Sequence, residues 1–215
     1  ILLITDADCV VPEKWIEGTA LRYEPGVGIV GGMTLQRAKD GFSGMQSLDW
    51  AYLLGIAAAG VSYGNPLSTI GNNLSFRRQA YDDVGGYRKI PFSVTEDYSL
   101  FQAIVRTGKW EYLYPVDPEI LVTSQPCRTL RELYLQKKRW GKGGIDMKAS
   151  GFFIMAIGFL THLLIFASLY YGTFTGGGEA LLAKMLGDVF FLNRVLKILK
   201  RQSDLRHFFF FELYY

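Results

Sequence analysis

Cysteine is nearly absent from the 215-residue chain: Cys9 and Cys127 stand far apart, without the paired spacing of a zinc or thiol-redox motif. Neither a disulfide framework nor a metal–thiolate cluster is implied, and a reducing compartment fits. An excess of one charge is also missing. Lys and Arg number 23 against 20 Asp and Glu, a net +3 that makes no field able to select nucleic acid, so no nucleic-acid partner is expected. There is no internal repeat and no low-complexity tract, and 49% hydrophobic residues is too apolar for disorder. The length allows one substantial domain and a further small element, and excludes two large domains. The opening residues ILLIT have no initiating Met, basic flank or cleavage signature. They read as a strand entered partway through a fold, and the chain is expected to be a fragment of a longer protein.

The most informative absence is local. From Ala149 to Gly178 thirty residues pass without Lys, Arg, Asp or Glu, and GFFIMAIGFLTHLLIFASLYYG within them is long enough to cross a bilayer at about 1.5 Å per residue. A buried core helix is the alternative, but such helices seldom stay apolar all round for so long. His162 in this span reads as a packed or interfacial side chain. After a flexible turn at Gly176, Gly177 and Gly178 comes a second apolar stretch, in which Lys184 and Asp188 are spaced to neutralise each other on one helical face. Basic residues flank the pair: Arg131, Lys137, Lys138, Arg139, Lys142 and Lys148 before it, and Arg194, Lys197, Lys200, Arg201 and Arg206 toward its end. If both clusters lie on the cytoplasmic side, the chain crosses twice between them; an amphipathic surface helix in the second position is the other option. The expected division is a domain over residues 1–148 and a membrane region over 149–215, with spans about 151–172 and 179–196 and the start of a third after 207. The protein is then multi-pass, with its first domain on the cytoplasmic face and the lipid bilayer as a partner.

The first 148 residues alternate in character. ILLIT, VGIVGG, the strand and turn STIGNNLSFRR, WEYLY and EILVT have strand patterning. PEKWIEGTALRYE, SLDWAYLLGIAAA, TEDYSLFQAIVRTG and RTLRELYLQKKRWGKGG have helical spacing. This order predicts an α/β fold with a mainly parallel sheet flanked by helices.

Four clusters carry chemistry. Asp6 and Asp8 follow an apolar strand, at the end where open α/β sheets bind ligands. Two carboxylates one residue apart suit Mg²⁺ or Mn²⁺ on a diphosphate, although an Asp-x-Asp also serves turns and caps. Glu96 and Asp97 open a helix; they either complement its dipole or supply a base that takes a proton from a hydroxyl acceptor. Gln136, Arg139 and Trp140 share a helix face, with a guanidinium to grip phosphate, an amide to orient it and an indole on which a sugar ring stacks. Lys137, Lys138 and Lys142 beside them suit an acidic lipid surface. Gly71, Asn72 and Asn73 form a polar turn ahead of Arg77 and Arg78, either a loop or a place where backbone approaches a ligand.

The order Asp-Ala-Asp, GNNLSFRR, Thr95-Glu96-Asp97 and QKKRW just ahead of an apolar span resembles the family 2 glycosyltransferases, in particular the membrane-embedded branch of cellulose, chitin and hyaluronan synthases. The likeness covers nearly the whole chain. It implies a GT-A nucleotide-sugar fold, with Asp6 and Asp8 holding the metal on a UDP- or GDP-sugar donor and Asp97 as general base. It also implies that Gln136, Arg139 and Trp140 border the diphosphate and acceptor, that Glu96 belongs to the same site, and that Gly71 and Asn72 line the acceptor side. The family's earlier strands would lie before Ile1, so this fragment alone is expected to be inactive. The reaction implied is an inverting transfer to a glycan or lipid-linked acceptor. Two rivals remain: a phosphatase of haloacid-dehalogenase type with Asp6 as nucleophile, and a membrane-anchored binding protein without chemistry.

Overall fold

The structure is a computed structural model and describes residues 1–143, 149–171 and 174–215. Lys148 of the basic cluster and the end of the expected first span at 172 lie outside the described residues. Strand β1 (Leu2–Ile4) is followed by helix α1 (Trp15–Ala20), β2 (Val27–Gly31), β3 (Thr34–Gln36) and the long α2 (Gly41–Ser62). A 3-10 turn at Gly71–Asn73 leads into β4 (Leu74–Phe76) and α3 (Arg78–Asp83), then α4 (Glu96–Arg106), β5 (Glu111–Leu113), β6 (Val122–Ser124) and α5 (Leu130–Gly143). The C-terminal part is α6 (Ala149–Tyr170), α7 (Phe174–Ile198), a 3-10 turn at Gln202–His207 and α8 (Phe208–Tyr214).

The sheet differs from the mainly parallel one expected. Its order is β1-β4-β2-β5, with β4 antiparallel to both β1 and β2, and β2 parallel to β5. β3 and β6 form a separate parallel pair. Pairing is therefore evenly divided, because β4 enters between β1 and β2 in the reverse sense. Every residue of β2 and β4 is buried, as the continuous apolar runs of central strands require. Ile29, Leu74 and Phe76 pack on Leu100, Phe101 and Ile104 of α4, which anchors the acid-started helix to the sheet. Asn73 ties three pieces together: its amide donates to the carbonyls of Met33 (2.8 Å) and Ile120 (2.9 Å), and its oxygen accepts from the Trp15 indole (2.9 Å).

Helix α2 starts at Asp40, whose carboxylate accepts from the Ser43 N–H while the Ser43 hydroxyl accepts from the Asp40 N–H, so two orphan donors are satisfied. It is buried on most sides and serves as the spine for the C-terminal segment. Side chains at Gly44 and Gly55 would collide with His207 and press on Phe191 and Val195, so these glycines let the turn and α7 approach the helix backbone. Leu192, Leu196 and Phe211 are fully buried in the same core as Leu48 and Ala51.

Among the described residues one helix, over Ala149–Ser168, is long and apolar enough to cross a membrane, and only 11% of its most apolar window is buried. That exposure argues against the core-helix alternative. α7 does not qualify as a second: it carries Glu179, Lys184, Asp188, Arg194 and Lys197, and its later half packs on α2. The later half of the segment expected to cross at 179–196 is buried in the core that α2 shares, through Leu192, Val195 and Leu196. The glycines expected to make a turn at 176–178 lie in the first turns of α7. Lys184 pairs with Asp188 (2.8 Å), as the spacing predicted, and also with Glu212 (2.9 Å) on α8. Beyond 207, where the start of a third span is expected, residues Phe208–Tyr214 are helical, with Phe211 buried in the core that α2 shares.

Candidate active site

Asp6 and Asp8 sit on a turn directly after β1, closed by the Cys9 N–H donating to the Asp6 carbonyl (3.1 Å). Val10 then exchanges backbone hydrogen bonds with Thr123 of β6 (2.8 and 2.9 Å), so the turn is held at both ends. Ligand atoms of Asp6, Asp8 and Cys9 lie within 4.8 Å of one another, and both aspartates are exposed. Two accessible carboxylates on a fixed turn fit a hard divalent cation such as Mg²⁺ or Mn²⁺; the nearby thiol of Cys9 is a softer donor that the Asp-x-Asp pattern did not bring to notice. Partial burial and the Asp8 charge push the Asp6 carboxyl above its usual range, while the Arg139 guanidinium pulls it down and Glu96 adds to the rise. Groups from the turn after β1, from α4 and from α5 therefore act on one carboxylate.

Asp97 lies in the first turn of α4 and is more sheltered. Its Oδ2 accepts from the Gly71 N–H (2.6 Å) and its Oδ1 from the Tyr98 N–H (2.7 Å). An added Cβ at Gly71 would stand 3.2 Å from that Oδ2, so the close approach depends on glycine. Burial raises the Asp97 carboxyl above the ordinary aspartate range, against the pull of the two N–H groups, and Glu96 adds to the rise. Glu96 itself is exposed.

Helix α5 brings the cationic and aromatic groups. Trp140 packs on Trp50 of α2 with ring centroids 5.6 Å apart, and the Lys137 ammonium lies 4.7 Å from its centroid. Lys137 is not the lipid-facing cation the sequence suggested: it pairs with buried Asp49 of α2, and Lys138 remains exposed. Arg139 is exposed, and the amide oxygen of Gln136 is buried without a partner. At the end of α5, Gly143 packs so tightly on Thr95 that no Cβ would fit. Asp97 and Trp140 line one cavity of about 690 Å³, together with Trp50, Thr95 and residues of α6. Trp50 and Thr95 were not singled out from the sequence; Thr95 adjoins the acidic pair, and Trp50 had no signal beyond a helical position.

Asn72, expected on the acceptor side, sits inside the domain. It is 3% exposed, and its amide oxygen accepts from the Thr34 hydroxyl (2.8 Å). From this turn Gly71, through its N–H, is the residue that reaches Asp97.

The sequence profile of glycosyl transferase family group 2 matches residues 1–196. The chain belongs to that family. Membership carries glycosyltransferase activity and a nucleotide-sugar donor, and it overturns the phosphatase alternative. No individually curated protein shows significant similarity to the chain.

Proposed function

We propose that the protein is a membrane-bound, inverting glycosyltransferase that moves a sugar from a UDP- or GDP-sugar to a hydroxyl acceptor, a polysaccharide or a lipid-linked glycan. The observation that carries this reading is the setting of Asp97: a carboxylate oriented by two N–H groups, raised by burial and opening on the same cavity as Trp140. Residues 1–148 form the catalytic part, on the cytoplasmic face, and 149–215 the membrane-associated part, with α6 crossing the bilayer.

Asp97 accepts the proton of the acceptor hydroxyl. The freed oxygen attacks the anomeric carbon from the face opposite the diphosphate, so one displacement inverts the configuration. Trp140 offers the sugar an apolar wall, and Gln136 and Arg139 face the diphosphate, where the guanidinium stabilises the charge that develops on departure. When bound, a Mg²⁺ or Mn²⁺ ion held by Asp6 and Asp8 offsets that charge.

The test presents membranes containing the full-length protein with a panel of labelled nucleotide sugars in Mn²⁺. The expected result is one labelled product with inverted anomeric configuration. Retained configuration, or release of sugar to water alone, contradicts the reading.

A further inference from the structure

The cavity that holds Asp97 continues as a cleft between α2 and α6. Its body is apolar: Leu53 and Leu54 on one side, Ile154, Met155 and Phe159 on the other. Ser68, Thr69, Thr95 and Asp97 supply polarity, and each lies within three residues of Gly71 or Asp97, the hydrogen-bonded pair at the reactive end. His162 farther along α6 bonds through Nδ1 to the Gly158 carbonyl of its own helix (2.7 Å), and its buried Nε2 adds one polar atom to the lining. Such a lining offers a sugar chain few partners for its hydroxyls, which are costly to strip of water unpaired. It suits a molecule with one polar end and a long apolar body. About 690 Å³ is within the ~300–1,000 Å³ of small-molecule pockets. The α6 wall belongs to the helix whose outer face is bare and apolar, so the cleft is continuous with the surface that meets lipid.

Charge narrows the polar end. Among the described lining residues Asp97 is the sole carboxylate, and there is no Lys or Arg. A lipid phosphate seated there would meet a carboxylate with no counter-ion beside it, an arrangement that repels in a sheltered place. A neutral hydroxyl meets a group able to take its proton.

Resting on the glycosyltransfer reading above, and taking a simple lipid in place of the glycan acceptor named there, we infer that the acceptor is an uncharged, hydroxyl-bearing lipid that enters the cleft from the bilayer with its hydroxyl toward Asp97. The new bond joins the lipid oxygen to the anomeric carbon, and the bond from that carbon to the diphosphate oxygen breaks. The hydroxyl proton passes to Asp97, and the nucleoside diphosphate leaves with the electron pair.

The experiment supplies the full-length protein in vesicles with its labelled donor and, separately, diacylglycerol or a sterol, a polyprenyl phosphate, and a water-soluble oligosaccharide. Label in the neutral lipid at least about tenfold above the other two supports the inference; preferential label in the polyprenyl phosphate or the oligosaccharide overturns it. Gly158 lines the cleft and has nothing within 4 Å of where its Cβ would stand, so Gly158→Phe starts a bulky side chain there with no clash at Cβ. The acceptor KM is expected to rise at least about tenfold with kcat within about threefold, and an unchanged KM overturns the proposal. If Gly158→Phe no longer binds the nucleoside diphosphate, Met155→Trp replaces it and is read in the same way. Photo-crosslinking from position 155 to a later stretch of the same chain, in place of lipid, also overturns it. Transfer to a different acceptor defeats the lipid inference alone; no transfer to any acceptor, together with no nucleoside diphosphate binding, defeats the glycosyltransfer reading itself.

Discussion

Asp6 and Asp8 stand in solvent on a turn, whereas Asp97 is sheltered in the first turn of α4, braced by two N–H groups and walled by the aromatic rings of α2 and α5. On the function proposed above, the contrast follows from what each wall does. Carboxylates that hold a cation against a diphosphate need access, and water costs them little. A base that takes a proton from a weakly acidic hydroxyl gains from a raised pKa, which burial supplies. The wet wall is fixed by short-range turn geometry, and the dry wall by packing between helices far apart in sequence.

The largest effect should come from the dry wall's reacting group. Asp97→Asn in the full-length protein is expected to lower kcat by about 10²–10⁴-fold, measured by label transfer; a residual rate above about a tenth of wild type removes Asp97 from the role of base. Next is the brace behind Trp140. Lys137→Met leaves the Asp49 carboxylate, 2% exposed, without its cation, and should cost about 3–5 kcal/mol in chemical denaturation. Replacing both partners with apolar residues should recover most of that loss, and an equal loss in the double variant would show that packing alone is at work.

The smallest effect is a shift in pH dependence. Asp97 must be ionised to accept a proton, so the rate falls as pH drops through its pKa, and burial places that limb above the ordinary aspartate value of about 3.9. Gly71→Ala crowds the Gly71 N–H bond that favours the ionised form. The limb should therefore move further up, by about one pH unit or less, which is roughly 1.4 kcal/mol or less. A limb that stays in place in that variant would assign it to another group.

The Asp-x-Asp after a strand, the acidic pair at a helix start and the Gln, Arg and Trp on one helix face were legible in the sequence because each depends on local spacing. α4 and α5 were legible for the same reason. β3 was not, since three residues after a double glycine carry no periodic signal. The antiparallel insertion of β4 is a matter of topology that alternating strands and helices do not reveal. α6 and α7 make the point most plainly. Both are long and rich in apolar residues, yet α6 is largely exposed, while α7 is docked on α2 where Gly44 and Gly55 permit close approach of the C-terminal segment. Nothing within residues 179–196 tells of a docking surface more than a hundred residues away. The burial of Asn72 was hidden for the converse reason: its polar turn looked accessible, but Thr34, on a strand that was not foreseen, donates to its amide oxygen.

The two-walled account is tested most directly by nucleoside diphosphate binding in the presence and absence of Mn²⁺, in wild type, Asp8→Asn and Asp97→Asn of the full-length protein. The account predicts Mn²⁺-dependent binding in wild type, binding at least about tenfold weaker in Asp8→Asn, and affinity within about twofold of wild type in Asp97→Asn, whose transfer rate has nevertheless collapsed. Equal loss of binding in both variants, or binding indifferent to Asp8, would contradict it.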